Sequence, residues 1–253
     1  MRFIQKRFFL MAVVVSVLLF FSWIYVNRKG GSSSSYPEPE SAVMDVDPYA
    51  WLRDWKRPEG PPKVGLQVGH WKNEELPEEL TRLIGNTGTT GGGYTEVEVN
   101  LEIAQLVAKH LEAEGIHVDI LPATVPVDYW ADAFIAIHAD GSTDRSASGF
   151  KIAAPRRDLT GKTQSLVTYL ELAYESATLL EKDPNITRNM RGYYAFSWWR
   201  YDHAVDPMTT AAIVETGFLT NAADRRIIAV TPEVPAKAIA QGILNYLTEH
   251  QLL

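Results

Sequence analysis

The sequence predicts an α/β fold: a single domain with a twisted, mostly parallel sheet flanked by helices on both faces, preceded by one transmembrane helix. One observation predicts the sheet. Short apolar runs closed by turn residues alternate with helical stretches along residues 63–250, as is typical of parallel sheets covered by helices. A second observation predicts the membrane segment, since residues 8–26 (FFLMAVVVSVLLFFSWIYV) are uncharged and apolar.

The individual elements follow from residue type. The strands predicted are short and apolar, and they end at turn residues. A helix over residues 97–114 is expected to stop at Gly115, because glycine suits the left-handed conformation that closes helices. Further helices are predicted within residues 159–181 and over residues 233–250. The predicted strands cover residues 63–68, 118–121, 133–138, 150–154 and 211–216.

The N-terminal residues 1–29 are predicted to be a membrane anchor. Residues 8–26 are about long enough to cross a bilayer as a helix. Three basic residues precede them, which places the N-terminus in the cytoplasm, although two more follow at residues 28–29. No small-x-small cleavage site follows, so an uncleaved, single-pass anchor is favoured over a signal peptide. The chain has no cysteine, which excludes a lipobox and a disulfide framework.

The remainder of the chain divides into a linker and one domain. Residues 30–47 are rich in Ser, Gly, Pro and Glu and too poor in apolar residues to pack, whereas residues 48–253 are enough for one well-cored domain. Five of the 24 basic residues and none of the 31 acidic ones lie in residues 1–29, so residues 30–253 have a formal charge of −12. This acidic balance argues against a nucleic-acid partner, which requires a basic face. We expect a monomer.

Polar residues stand where three of the apolar runs end. His70, His138 and Glu215 each close such a run, and Glu96 stands just before a helical stretch. In parallel α/β sheets, ligands bind beyond the carboxyl ends of the strands. Two imidazoles and one carboxylate leave a zinc ion an open position for water, and a second carboxylate can accept a proton from that water. Taken singly, each histidine could instead be a satisfied core or loop residue.

Four stretches carry a resemblance to a known family. They read Val-Gly-His at 68–70, Glu-Val-Glu-Val-Asn-Leu-Glu-Ile-Ala at 96–104, Ile-His-Ala-Asp at 137–140 and Val-Glu-Thr-Gly-Phe-Leu-Thr-Asn at 214–221. They resemble the motifs of the zinc-dependent N-acetylmuramoyl-L-alanine amidases, bacterial enzymes that cut the stem peptide from peptidoglycan. The similarity runs from about residue 64 to about residue 247, and its last motif is the most specific.

The resemblance implies a role for each candidate residue. His70, Glu96 and His138 match the zinc ligands of the family, and Glu215 matches its catalytic carboxylate. Glu98 is the alternative to Glu96. The family's offset, four residues before Asn100, favours Glu96.

The sequence departs from the family pattern near the first histidine. Gln67 stands where an acidic residue is usual, and Trp-Lys-Asn follows His70 in place of a glycine-rich segment. The segment between His70 and Glu96 is longer than usual and contains the run Gly-Asn-Thr-Gly-Thr-Thr-Gly-Gly-Gly at 85–93. No Gly-Lys-Ser/Thr follows that run, so a flexible loop at the rim of the cleft is favoured over a phosphate loop. These differences concern the substrate pocket more than the metal site.

A substrate-binding residue is also implied. The Arg191–Gly192 pair resembles a family Arg-Gly that precedes the strand leading to the catalytic glutamate. A guanidinium group can bind a carboxylate through two hydrogen bonds, and muropeptides carry carboxylates. The alternatives for Arg191 are a structural ion pair and a backbone cap.

These expectations combine into one hypothesis with two alternatives. The resemblance implies that residues 48–253 form a zinc amidase domain that hydrolyses the bond between N-acetylmuramic acid and L-alanine in peptidoglycan. The anchor would hold this domain outside the cytoplasmic membrane, facing the cell wall. The alternatives are another zinc-dependent cell-wall peptidase or amidohydrolase and a non-catalytic peptidoglycan-binding module. Product analysis separates them, since only an amidase releases the free stem peptide.

Overall fold

The computed structural model describes residues 47–253, and residues 58–253 form a compact unit. The anchor predicted for residues 1–29 and nearly all of the linker predicted for residues 30–47 lie outside the described residues. Before the compact unit, a 3-10 helix spans Ala50–Arg53. Asp47 accepts hydrogen bonds there from the backbone N–H of Tyr49 and from the guanidinium of Arg53.

Within residues 47–253, no single helix is long and apolar enough to cross a bilayer. One pair, Ala222–Val230 and Glu233–Glu249, meets the length and composition criteria only when taken together, with a bend of 72° between its members.

A five-stranded sheet forms the centre of the domain. Its strands follow the order β4-β1-β5-β7-β6, and all neighbouring pairs are parallel except β6 with β7. The predicted mostly parallel sheet is therefore confirmed. Its strands are β1 (Lys63–Val68), β4 (His117–Leu121), β5 (Ala133–Asp140), β6 (Lys151–Ala153) and β7 (Ala211–Phe218); a separate hairpin pairs β2 (Thr90–Gly91) with β3 (Tyr94–Thr95).

The three long helices are α1 (Glu96–Ala113), α2 (Thr163–Thr178) and α5 (Glu233–Glu249), and α5 packs against both others. All three contribute to the apolar core on one face of the sheet, where Leu66, Ile135 and Val214 are fully buried.

Shorter helical segments cover the other face. They include α3 (Arg188–Arg191) and the 3-10 helices Glu78–Leu83 and Tyr194–Phe196; elsewhere lie α4 (Ala222–Arg225), the 3-10 helix Asn73–Glu75 and the π-helix Arg226–Val230.

The end of the glycine run before α1, Thr90 to Gly93, lies in a tight hairpin that its composition did not predict, whereas residues 85–89 form a loop that lines the cleft. Gly92 and Gly93 connect β2 and β3 with φ angles of 60° and 90°, a conformation that glycine adopts without the steric penalty of other residues. The hairpin ends at Thr95, whose side chain accepts a hydrogen bond from the backbone N–H of Glu98. Glu98 in turn accepts from the backbone N–H of Thr95. This capping box fixes the start of α1.

Asp224 ties the end of β7 to the loop before β6. It is fully buried, and its carboxylate accepts hydrogen bonds from the Ser148 hydroxyl at 2.5 Å, the Gly149 N–H at 3.0 Å and the Phe218 N–H at 2.9 Å. Asn221 caps the short helix that contains Asp224 by accepting from two backbone N–H groups. The geometry of the 214–221 segment thus depends on a buried carboxylate that accepts three hydrogen bonds.

We predict that Asp224→Ala lowers the free energy of unfolding by about 2–4 kcal/mol, because alanine offers no acceptor and the N–H groups of Gly149 and Phe218 lose theirs. Urea denaturation measures this change. Asp202→Ala is the matched control, since Asp202 is exposed, and it should change stability by less than about 0.5 kcal/mol. Equal stability of the two variants would contradict this account of the segment.

Candidate active site

Three of the predicted site residues come together at the carboxyl edge of the sheet. His70 follows β1, His138 lies in β5, and Glu96 is the first residue of α1. One nitrogen of each ring and a Glu96 oxygen lie within 4.8 Å of one another. Glu96 Oε1 is 3.4 Å from His70 Nε2 and 3.0 Å from His138 Nδ1. This arrangement of donors could hold a metal ion.

The backbone at His70 is strained, and its ring is oriented by a carbonyl. His70 has a φ of 64°, a left-handed conformation that costs a non-glycine residue roughly 1–2 kcal/mol. Its Nδ1 lies 2.8 Å from the carbonyl oxygen of Asn86. A carbonyl can only accept, so Nδ1 carries the proton in the neutral ring, and Nε2, which faces Glu96, is the nitrogen available to a metal ion. The strained turn therefore directs Nε2 to the centre of the cluster.

Glu96 is buried, and its carboxylate is satisfied by several donors. Glu96 Oε2 accepts from the backbone N–H of Thr89 at 2.8 Å, and Oε1 lies 3.2 Å from the N–H of Ala139. Burial acts to raise the pKa of Glu96, but hydrogen bonds to His138 and His70 and their charges outweigh it and hold that pKa far below its ordinary value. Burial also acts to lower the pKa of His70, but the Glu96 carboxylate outweighs it, and the net pKa of His70 is raised. The carboxylate is thus ionised at neutral pH.

Glu98, the alternative to Glu96, is directed elsewhere. It is exposed to solvent at the surface and its carboxylate is engaged by the backbone and hydroxyl of Thr95. These hydrogen bonds lower its pKa. Of the two glutamates, only Glu96 reaches the histidines.

Two close approaches explain the glycines around the cluster. A Cβ added to Gly69 would lie 2.4 Å from the ring of His138. The His138 ring can therefore occupy its position only if residue 69 is glycine. A Cβ added to Gly88 would lie 2.3 Å from Glu96 Oε2, and Gly88 has a φ of 75°. The Gly-His pair and the glycine run both make room for ligand side chains.

Glu215 shares a cross-strand row with His138 and Lys151. In the registers of β5, β7 and β6, Glu215 pairs with His138 on one side and with Lys151 on the other. Burial and the nearby carboxylates of Asp140 and Glu96 raise the pKa of Glu215 well above its ordinary value, against the opposing charge of Lys151. Lys151 is itself buried and paired with Asp140 and with Asp183, the latter at 3.1 Å. The surroundings of Glu215 thus increase its affinity for a proton.

A single cavity of about 540 Å³ contains all four residues. Its wall includes Gly88 and Thr89 from the glycine run, the end of β5, and residues 141–143 and 145 after it. Arg191, the predicted substrate-binding residue, does not line this cavity. It lines a second one with Arg156 and Arg188.

Several contacts at the site were not expected from the sequence. The hydroxyl of Tyr193 lies 3.2 Å from His138 Nε2, and Gln67 is buried, donating to the carbonyl of Ala123 and to the hydroxyl of Tyr194. The aromatic composition of the 186–203 stretch was the available signal for the tyrosines. The Asn86 carbonyl carries no such signal, because a backbone group is the same in every residue.

The family of the chain follows from a comparison with known sequences. The profile of the N-acetylmuramoyl-L-alanine amidase family matches residues 64–245, which is most of the chain and includes all four residues of the cavity. The chain belongs to this amidase family. The resemblance drawn from the four motifs is confirmed.

Individual relatives and solved structures match this chain at low sequence identity. N-acetylmuramoyl-L-alanine amidase LytC of Bacillus subtilis (strain 168) is 27% identical over 183 residues, which cover 64% of this chain and 33% of that protein. The chain therefore spans about a third of the length of this curated relative. Among solved structures, Ami1 of Mycobacterium smegmatis aligns with a TM-score of 0.55 at 19% identity, covering 74% of this chain and 97% of that one. AmiC2 of Nostoc punctiforme aligns with a TM-score of 0.53 at 20% identity, covering 76% and 99%.

We predict that Gly88→Ala weakens zinc binding at least about tenfold, because the added Cβ displaces the Glu96 carboxylate. Gly85→Ala is the matched control: Gly85 has a φ of 81°, so it introduces similar backbone strain, but its Cβ would meet nothing within 4 Å. Competition with a chelator of known affinity measures the zinc dissociation constant of each. Equal affinities in the two variants would show that Gly88 does not act through Glu96.

Proposed function

We propose that this protein is a zinc-dependent N-acetylmuramoyl-L-alanine amidase that hydrolyses the amide bond between the lactyl group of N-acetylmuramic acid and L-alanine in peptidoglycan. The observation that carries the proposal is the set of His70, Glu96, His138 and Glu215 in one cavity of a chain that belongs to this family. The arrangement supports hydrolysis because it combines a three-donor metal cluster with a separate carboxyl group.

The residues present fit a zinc ion. Two imidazoles and one carboxylate are the donor types that catalytic zinc sites use, and the carbonyl of Asn86 fixes the orientation of His70 as ligand-orienting groups do. His70, Glu96 and His138 would hold the ion. Bound there, zinc would supply a Lewis acid for the scissile carbonyl and lower the pKa of a water molecule.

Glu215 is proposed as the general base and acid. Its carboxylate would accept a proton from the attacking water and pass that proton to the nitrogen of the leaving L-alanine. A raised pKa suits both transfers, since a carboxyl group with ordinary acidity holds a proton too weakly to donate it. Lys151 opposes part of this rise, which favours the carboxylate form that accepts the proton.

We predict that Glu215→Gln keeps the fold and the zinc but lowers amidase turnover by roughly two to four orders of magnitude, because an amide cannot accept a proton. Glu96→Gln should instead weaken zinc binding, because it replaces an anionic ligand by a neutral one. Zinc content and release of free stem peptide from purified peptidoglycan are measured on both variants. If Glu215→Gln lost zinc and Glu96→Gln kept it, the two assigned roles would be exchanged.

We predict that zinc affinity falls as the pH falls. Protons compete with the ion for the histidine nitrogens, and the pKa of His70 in the metal-free protein is raised above its ordinary value of about 6.5. As the pH falls below the raised pKa of His70, the zinc dissociation constant should therefore increase by up to about tenfold per pH unit for each proton displaced. Glu96→Gln removes the main group that raises the pKa of His70 and should move the midpoint to lower pH. A dissociation constant that stays the same between about pH 5.5 and 8 would exclude histidine ligands.

The location of the enzyme is also proposed. Residues 8–26 would anchor it in the cytoplasmic membrane as a single-pass protein, with the catalytic domain outside the cytoplasm and facing the cell wall. Residues 30–47 would allow the domain to reach its peptidoglycan substrate.

We predict that the full-length protein sediments with membranes and resists alkaline extraction, whereas a chain that begins at Asp47 stays in the supernatant with its amidase activity. The reason is that only the longer form contains the uncharged stretch at residues 8–26. Immunoblots of the two fractions measure the distribution. A mature protein shortened by about thirty residues would show a cleaved signal peptide in place of the anchor.

A further inference from the structure

Tyr193 contacts one of the candidate metal ligands without facing the main cavity. Its hydroxyl lies 3.2 Å from Nε2 of His138, and the two rings meet edge to face with their centroids 5.4 Å apart. The wall of the cavity includes His138 but not Tyr193. Tyr193 can therefore act on the metal cluster only through the His138 ring, by fixing its position and its proton.

The two imidazole rings direct different nitrogens at the cluster. His70 is held at Nδ1 by the Asn86 carbonyl and directs Nε2 at Glu96. His138 has the opposite arrangement, because its Nδ1 lies 3.0 Å from Glu96 Oε1 and its Nε2 faces Tyr193. An ion held by these three side chains would therefore bind His138 through Nδ1.

This arrangement decides where the proton of His138 must lie. A neutral imidazole that binds a metal through Nδ1 carries its proton on Nε2. The side chain of His138 is buried, so that N–H group needs an acceptor within the protein. Among residues 47–253, the Tyr193 hydroxyl is the one hydrogen-bond partner of Nε2. A phenol oxygen can accept as well as donate, so Tyr193 can supply the acceptor that the ring requires.

Aromatic contacts hold Tyr193 in a fixed position. The centroid of its ring lies 4.7 Å from that of Tyr194 and 5.6 Å from that of Phe196. Tyr194 is anchored in turn, since its hydroxyl accepts a hydrogen bond from the buried amide of Gln67 at 2.5 Å. A phenylalanine at position 193 would keep these ring contacts and remove only the hydroxyl, so Tyr193→Phe isolates the contribution of that group.

We propose that Tyr193 is a positioning residue for the metal cluster: its hydroxyl accepts the Nε2–H of His138 and thereby keeps Nδ1 as the nitrogen that binds the ion. The proposal rests on the proposed function only in taking zinc as the ion. Removing a group that orients a metal-binding histidine typically weakens metal binding about 10- to 100-fold. The Asn86 carbonyl serves His70 in the same way, but no substitution removes a backbone carbonyl, whereas the Tyr193 hydroxyl can be removed.

The first test measures the zinc affinity of the full-length protein by competition with a chelator. Tyr193→Phe should raise the zinc dissociation constant about 10- to 100-fold. Tyr201→Phe is the matched control, because it removes the hydroxyl of another buried tyrosine, one that accepts from Arg82 at 3.1 Å and does not line the main cavity. This control should leave the constant unchanged. Equal affinities of the two variants would overturn the proposal.

The second test begins with the wild-type protein and does not depend on turnover. Nitrogen-15 NMR of the zinc-loaded protein, labelled only at its six histidines, shows which ring nitrogen carries the proton. His138 should bind the ion through Nδ1 and carry on Nε2 a proton that exchanges slowly with solvent. In Tyr193→Phe that proton should exchange faster, since it has lost its acceptor. A zinc bond to Nε2 of His138 in the wild-type protein would contradict the assigned role of Tyr193.

Failure of this role and failure of the amidase function give different results. If Tyr193→Phe weakens zinc binding while no form of the protein releases stem peptide from peptidoglycan, the proposed function is wrong and the positioning role of Tyr193 stands. If the wild-type protein is an active zinc amidase but Tyr193→Phe binds zinc as tightly as wild type does, the positioning role is overturned and the proposed function stands.

Discussion

The position of the Glu96 carboxylate is the constraint on which the site depends. It is buried between two imidazoles, and it is satisfied by backbone N–H groups from the glycine run and from β5. An unpaired buried carboxylate would be very costly, so these contacts must all form for the site to be stable. Glu96 therefore connects segments that are far apart in the sequence. His70 and His138 contact its carboxylate through their rings, and Thr89 and Ala139 contact it through their backbone N–H groups.

The two faces of the sheet are covered by different kinds of segment. The long helices α1, α2 and α5 fill one face with a continuous apolar core. On the other face lie short helical segments and loops, and it is from this side that Tyr193 reaches His138. The long helices on the first face hold the strands in place, and α1 also provides Glu96. The irregular segments on the second face provide Tyr193. The buried Gln67, which departs from the family pattern, belongs to this second face through its hydrogen bond to Tyr194.

Much of the fold could be predicted from the sequence because its signals are local. Apolar runs located β1 and the start of β5 and β7, and Gly115 located the end of α1 within a residue or two. The grouping of His70, His138 and Glu96 could be predicted because parallel strands bring their carboxyl ends to one edge. The hairpin at residues 90–95 was missed, since a run of glycines indicates flexibility as readily as a tight turn.

The parts of the site that the sequence did not predict arise from contacts between distant segments. The Asn86 carbonyl orients His70, and Arg156 meets Arg191 through the backbone, so neither contact depends on a recognisable residue pattern. Arg191 lies outside the main cavity, and local propensity does not determine this placement.

Anomalous diffraction at the zinc absorption edge, from crystals of residues 47–253 grown with zinc, tests the central claim most directly. The account predicts one strong peak per chain, at about 2.0–2.2 Å from a ring nitrogen of His70, a ring nitrogen of His138 and an oxygen of Glu96, with Glu215 outside bonding distance. A peak bonded to Glu215 in place of Glu96, or one located away from this cluster, would contradict it.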